Sequence, residues 1–167
     1  MLSTPSQVAS ALFYLVLTLA ISGCSQLAPR YDAELYSDLT EVNAEILQFF
    51  SLVSHGTSKD SYAERNQNYH ALIGKIDALA MQSNTRPIPN KDTLKKINNY
   101  LNSTGADIAF NEQPPSVDSL EKISLSLNRM RKEDEDKGLR ATVVALFKNE
   151  IVISMDQALT YESFLNR

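Results

Sequence analysis

Apolar residues recur after residue 30 at intervals of three and four positions, which is the spacing of one face of an α-helix. His55-Gly56 ends the first such run, and glycine readily adopts the left-handed conformation found at helix C-termini. The pattern predicts a first helix over residues 32–55. Its apolar stripe consists of Tyr31, Leu35, Leu39, Val42, Ile46, Phe49 and Val53.

The same spacing predicts three further long helices. The second runs from the capping-box pattern Ser61-x-x-Glu64 to Ser83, the third covers residues 116–137 after Pro114-Pro115, and the fourth covers residues 140–165. Prolines 87 and 89 interrupt the helical pattern, so a short helix over 91–101 is expected inside a long connection. The three stripes are Tyr62, Asn66, Tyr69, Leu72, Ile73, Ile76 and Leu79; Leu120, Ile123, Leu127 and Met130; and Val144, Phe147, Ile151, Met155, Ala158, Tyr161 and Leu165.

Four long helices of similar length favour side-by-side packing. The expected fold is therefore all-α: a helical bundle of four long helices, occupying residues 31–167, with one short helix in a long crossover over 84–115. The charged segment 131–137 interrupts the third stripe. It is expected to be an exposed helix end, supported by pairs such as Arg129 with Glu133 and Arg131 with Glu135.

Composition narrows the classes of function. The chain has 167 residues, which suits a single domain. It carries 16 basic and 20 acidic side chains, which give a net charge of −4. A nucleic-acid partner is therefore not expected, because binding to phosphates requires positive charge. One cysteine excludes a scaffold of disulfides.

The N-terminal segment has a different pattern from the rest of the chain. No charged side chain occurs in residues 1–29, and residues 11–21 are apolar except for Thr18. Eleven helical residues rise only about 16 Å, short of the roughly 30 Å hydrocarbon core of a bilayer. An apolar run of this length followed by small residues predicts a signal peptide over 1–23, cleaved between Gly23 and Cys24.

The run Ile21-Ser22-Gly23-Cys24 resembles the lipobox of bacterial lipoproteins, and Cys24 is the only cysteine of the chain. The resemblance implies a covalent diacylglycerol and acyl chain on Cys24 and attachment to the membrane through this lipid anchor. No other cofactor is expected. Because Ser25 is not aspartate, it also implies the periplasmic face of the outer membrane. Residues 24–30 would form a short tether. An uncleaved N-terminal helix is the alternative.

Signatures of catalysis and metal binding are missing from the sequence. Glu-x-x-His and Gly-x-Ser-x-Gly do not occur, and His55 and His70 lie 15 positions apart. We therefore expect no catalytic residue and no metal site. His55 is expected to interact with the dipole at the end of the first helix.

An acidic series on the first helix is the remaining candidate site. Its members follow one another at intervals of 4, 3 and 4 positions beside the apolar stripe, and they could dock a basic partner: Glu34, Asp38, Glu41 and Glu45. The expected function is a lipid-anchored, non-enzymatic accessory or interaction subunit with a protein partner in the envelope. The alternatives are a carrier of a small apolar ligand, which needs an enclosed pocket of about 300 Å³, and an envelope hydrolase.

Overall fold

The computed structural model describes residues 30–86, 92, 95, 99 and 113–166. Within them the chain folds into four long α-helices, which confirms the all-α prediction. Of the short helix predicted over 91–101, residues 92, 95 and 99 are described, and they are helical and exposed; the rest of it lies outside the described residues. The four helices are α1 (Ala33–Leu52), α2 (Ala63–Asn84), α3 (Pro115–Lys137) and α4 (Ala141–Phe164).

The starts of α1 and α3 follow the sequence signals, whereas the start of α2 does not. The Asp32 carboxylate accepts hydrogen bonds from the amides of Glu34 and Leu35, at 3.1 and 3.0 Å, and α3 begins at Pro115. The capping box predicted at Ser61 does not form. Ser61 lies in a short 3-10 helix, Lys59–Ser61, and its hydroxyl accepts a hydrogen bond from the Arg65 guanidinium instead.

Two short turns meet at one end of the bundle, which we call the turn end. Gly56 and Gly138 have φ angles of 91° and 74°, in the region that favours glycine. The Thr57 amide donates to the Leu139 carbonyl at 2.8 Å, which ties the turns together. A Cβ atom at Gly138 would lie 2.5 Å from the Thr57 carbonyl oxygen, so the close approach of the turns depends on glycine.

The opposite end of the bundle, which we call the N-terminal end, holds the starts of α1 and α3 and the ends of α2 and α4. There the hydroxyl oxygens of Ser83 and Ser116 lie 2.6 Å apart. The long connection predicted as a crossover therefore leaves and rejoins the bundle at the same end. Each helix packs antiparallel against two neighbours, in the order α1, α2, α3, α4 and back to α1.

The predicted stripes form one core. Phe49 of α1 and Tyr69 of α2 make an edge-to-face contact, with ring centroids 4.7 Å apart. Tyr62 and Phe147 are only partly buried at its margin. The largest fully buried side chains are Tyr69, Phe50, Leu35, Leu39, Ile46, Ile76, Leu120, Ile123, Leu127, Met130, Ile151 and Met155.

Helix α4 is apolar on its outer side as well as on its inner side. Val144, Ile151 and Met155 face the core. On the opposite side Leu146 is 71% exposed and Ile153 is 50% exposed. The core accounts for the first set of residues and leaves the second without a role in the fold.

Candidate functional site

The acidic series predicted on the first helix forms a ridge along the surface of α1. Glu34 and Glu41 are exposed, while Asp38 and Glu45 are half-buried. Helix α1 carries no lysine or arginine. The four carboxylates therefore give this helix a continuous negative edge, and we call them the acidic ridge.

Two hollows open to solvent lie one after the other between the acidic ridge and α2, and we call them together the groove. Its first part, about 260 Å³, lies between Asp38 and Glu41 on one side and Ala78 and Gln82 on the other. Its second part, about 310 Å³, is lined by Glu45, Gln48, Phe49, Leu52, Asn68, Ala71 and Leu72. The groove thus combines a negative wall with a partly apolar floor.

Lys75 of α2 is the one basic residue among those that line the two parts of the groove. Its ammonium group bonds to the Glu45 carboxylate and lies 4.0 Å from a carboxylate oxygen of Glu41. The hydrogen bond with Glu45 raises the pKa of Lys75. A single lysine cannot neutralise four carboxylates, so the ridge keeps a negative charge.

Small residues of α2 lie at and beside the groove. Ala78 lines its first part and Ala71 lines its second part, and exposed Gly74 stands between them in the sequence. A Cβ atom at Gly74 would have no heavy atom within 4 Å, so the fold itself does not require glycine there. Glycine inside a helix is less stable than alanine by roughly 0.5–1 kcal/mol.

A buried ion pair at the turn end was not predicted from the sequence. The Arg65 guanidinium of α2 meets the Asp134 carboxylate of α3 through two hydrogen bonds, each of 2.9 Å. Asp134 is fully buried, so the expectation that the whole segment 131–137 is exposed was wrong. The four-residue ion pairs that form in this described segment are Lys132 with Asp136 and Glu133 with Lys137.

Each oxygen of the Asp134 carboxylate accepts a second hydrogen bond. Tyr69 donates to one oxygen at 3.2 Å and Thr57 donates to the other at 2.5 Å. The remaining N–H groups of Arg65 bond to the Ser61 carbonyl and hydroxyl and to the Ser58 carbonyl, at 2.9, 2.9 and 3.0 Å. All polar atoms of the pair are occupied, so this cluster stabilises the fold and has no atom left to bind a ligand.

The protonation states of this cluster are held by its surroundings. The hydrogen bond with Asp134 raises the pKa of Arg65. Burial, and then the negative charge of Asp134, raises the pKa of Tyr69 well above its ordinary value of 10.0. Tyr69 therefore keeps its proton and remains a donor.

A second buried ion pair lies at the N-terminal end. The Arg86 guanidinium bonds to Glu162 of α4 and to the Arg30 carbonyl, each at 2.5 Å. Glu162 is fully buried, and its Oε1 atom has no hydrogen-bond partner. Burial raises the pKa of the neighbouring Tyr161. This pair joins α4, the segment that follows α2 and the segment that precedes α1.

The remaining predicted residues do not gather into a site. His55 is exposed three positions beyond the last residue of α1, and His70 is exposed on α2. Among the described residues no group of three or more His, Cys, Asp or Glu side chains could hold a metal ion. Gly23 and Cys24 lie outside the described residues.

Comparison with known proteins assigns no family. No protein-family model, curated protein or solved structure matches the chain. In the part of the chain that the structure describes, no helix combines the length and apolar character needed to cross a bilayer. The acidic ridge and its groove are the candidate binding site that the described residues offer.

Proposed function

We propose that the protein is a lipoprotein of the bacterial envelope that acts as a non-enzymatic accessory or interaction subunit. The observation that carries the proposal is the run Ile21-Ser22-Gly23-Cys24, which places the only cysteine directly after a hydrophobic segment and two small residues. Diacylglycerol and a further acyl chain on Cys24 would hold the bundle on the periplasmic face of the outer membrane. Two or more chains are needed for stable anchoring.

The contact between Arg30 and Arg86 supports a defined orientation of the bundle. Six residues separate Cys24 from the start of the helical domain, and they span at most about 22 Å when fully extended. Because the Arg30 carbonyl is bound at the N-terminal end, this end would face the bilayer. The turn end would point away from it, farther out by the length of a helix.

The acidic ridge would then be the surface offered to a protein partner. Anionic lipid repels a row of carboxylates, so α1 would not lie on the membrane. A basic helical segment of another envelope protein fits the negative wall and partly apolar floor of the groove. Its lysine or arginine side chains would compete with Lys75 for Glu45 and Glu41.

The anchor is tested by growing cells that express the full chain with radiolabelled palmitate. We expect label in the natural protein and in a Ser25→Ala control, and loss of label with accumulation of the uncleaved precursor in Cys24→Ser. If Cys24→Ser were still labelled, or were cleaved and membrane-bound like the natural protein, the anchor proposal would be wrong.

The partner surface is tested with a photo-crosslinking residue at Asp38, inside the groove, and at exposed Asp77 of the same bundle as a control. We expect one specific adduct at Asp38 that Asp77 lacks. The charge reversal Glu41→Lys should reduce that adduct several-fold. Equal adducts at both positions, or an adduct indifferent to Glu41→Lys, would contradict docking at the ridge.

A further inference from the structure

The two hollows of the groove repeat each other along α1 and α2. The residues that line the first hollow, shifted by seven positions toward the turn end on both helices, give six of the seven residues that line the second. Seven positions are nearly two turns of an α-helix, so the shift keeps each residue on the same side of its helix. The equivalent pairs are Asp38 and Glu45, Glu41 and Gln48, Val42 and Phe49, Ala78 and Ala71, Leu79 and Leu72, and Lys75 and Asn68.

Both hollows combine a buried apolar floor with a carboxylate on the α1 side. Val42 and Leu79 form the floor of the first hollow, and Phe49 and Leu72 form the floor of the second. An alanine of α2 borders each floor and takes up little space. Each hollow is therefore an apolar seat beside a negative charge, and the two seats lie about 10 Å apart along the bundle.

The distance between the two seats selects the form of the segment that can occupy them. In an α-helix, side chains seven positions apart point to the same side and lie about 10 Å apart. In an extended strand the same distance covers about three residues, and side chains three positions apart point to opposite faces. A helix can therefore fill both hollows from one face, whereas an extended segment cannot.

The two hollows differ in the charge beside their carboxylates. Glu45 of the second hollow bonds to Lys75, which lies 4.0 Å from Glu41 of the first. The position seven residues after Lys75, which lines the first hollow together with Asp38, is the uncharged Gln82. Among the described residues no basic side chain forms an ion pair with Asp38. The first hollow thus lacks the cation that the second already has.

We propose that the groove docks a helix of the partner whose apolar side chains repeat after seven positions and which carries a lysine or arginine at the first hollow. The two apolar side chains lie on the two floors, and the cation pairs with Asp38, beside Gln82. Lys75 already pairs with Glu45, so charge complementarity places the cation at the first hollow. This step rests on the proposed function, which assigns a partner to the groove, and adds the form and the pattern of the segment that binds.

The test uses the full chain in detergent micelles and two synthetic helical peptides of about 20 residues. Both peptides are rich in alanine and glutamine and contain two leucines, with a lysine four positions outside each leucine so that either direction of binding is possible. The leucines of the first peptide are seven positions apart and share one side of the helix; those of the second are five positions apart and do not. We expect the first peptide to bind several-fold more tightly, measured by isothermal titration calorimetry.

The position of the cation is tested with Gln82→Lys, which supplies the missing charge from within the chain. Binding of the first peptide should weaken several-fold, because the new lysine pairs with Asp38 as Lys75 pairs with Glu45. Met81→Lys is the matched control. It adds the same charge to the same turn of α2 at a residue that is 72% exposed and does not line the groove, so its effect should be much smaller. Circular dichroism checks that both variants keep their helices.

Equal affinity of the two peptides, or no binding of either, would overturn the helix with a seven-residue repeat. Equal weakening by Gln82→Lys and Met81→Lys would overturn the pairing of the cation with Asp38. The photo-crosslink at Asp38 in cells is a separate measurement that tests the proposed function. An adduct in cells without a difference between the peptides contradicts this inference alone, and a difference between the peptides without an adduct contradicts the proposed partner alone.

Discussion

The two ends of the bundle each bury an arginine beside a carboxylate, but they satisfy the pair to different extents. At the turn end, Arg65 and Asp134 have a partner for every polar atom of their charged groups. At the N-terminal end, Glu162 bonds to Arg86 through one oxygen and leaves the other without a partner. The hydrogen bonding of the arginine–carboxylate pair is therefore complete at the turn end and incomplete at the N-terminal end.

This difference shows what determines the worth of a buried ion pair. The attraction between the charges is offset by the loss of their hydration, so the outcome depends on the further hydrogen bonds that surround them. Two short turns at the turn end supply hydroxyl and carbonyl groups close to the pair. We therefore expect the turn end to depend strongly on its pair and the N-terminal end to depend on its pair only weakly.

The largest expected effect is that of Asp134→Asn. An amide nitrogen in place of either carboxylate oxygen would face two donors, so hydrogen bonds are lost and Arg65 remains buried without an anion. We expect a loss of about 3 kcal/mol or more in the free energy of unfolding, measured by urea denaturation with circular dichroism. Asp136→Asn, exposed on the same helix, should change it by less than about 0.5 kcal/mol. Equal effects would contradict the special role of Asp134.

The next largest effect is expected at the glycine turns of the same end. Gly138→Ala places a Cβ atom against the Thr57 carbonyl in a backbone conformation that alanine rarely adopts, which should cost about 2 kcal/mol. Gly74→Ala is the matched control, because its Cβ atom meets open space, and it should raise stability by about 0.5–1 kcal/mol. Thermal unfolding of both variants checks the opposite signs.

A smaller effect is expected from Tyr69→Phe, which removes one hydrogen bond to Asp134 and should cost about 1 kcal/mol at neutral pH. The unfolded tyrosine loses its proton near pH 10, whereas the folded one keeps it to higher pH. Above pH 10 the unfolded state therefore binds fewer protons, and the stability of the natural protein falls as pH rises. The gap in melting temperature between the two proteins should narrow from pH 9 to pH 11; a constant gap would contradict the raised pKa.

The smallest effect is expected from Glu162→Gln at the N-terminal end. The amide oxygen still accepts from Arg86, and the amide nitrogen takes the position of Oε1, where no donor is displaced. Arg86 loses its anion, as Arg65 does in Asp134→Asn, but a buried carboxylate with one unbonded oxygen no longer has to be desolvated, and these two changes offset each other. The free energy of unfolding should therefore change by less than about 1 kcal/mol. If this variant lost as much stability as Asp134→Asn, the expectation that the N-terminal end depends only weakly on its ion pair would be wrong.

The helices could be predicted because burial imposes a regular spacing on the sequence. The apolar stripe residues between Leu35 and Val53, and those between Leu120 and Met130, are buried in the core as the pattern predicts. The predicted helix ends were less accurate than the helices themselves. Helix α1 ends at Leu52 rather than at residue 55, and Ser61 bonds to Arg65 instead of capping α2. Such details depend on contacts between distant segments.

The four acidic residues could be placed together on one helix from the sequence, because they follow one another at helical spacing. The buried ion pairs were missed because their partners are 69 and 76 residues apart in the chain. One signal was present: Asp134 and Glu162 each stand four positions after a buried residue, Met130 and Ala158, and continue the apolar stripes. A charged residue in the register of a core stripe predicts a buried partner elsewhere.

The hydrogen bond between Ser83 and Ser116 has a consequence for the evolution of the chain. Helices α2 and α3 already meet at this point, so a tight interhelical loop of about 2–8 residues would suffice to connect them. The topology therefore sets no lower limit on the length of the connection between Arg86 and the start of α3 beyond such a loop. We expect insertions and deletions within residues 87–112 to leave the four-helix architecture intact, whereas Arg86 itself is held by its ion pair with Glu162.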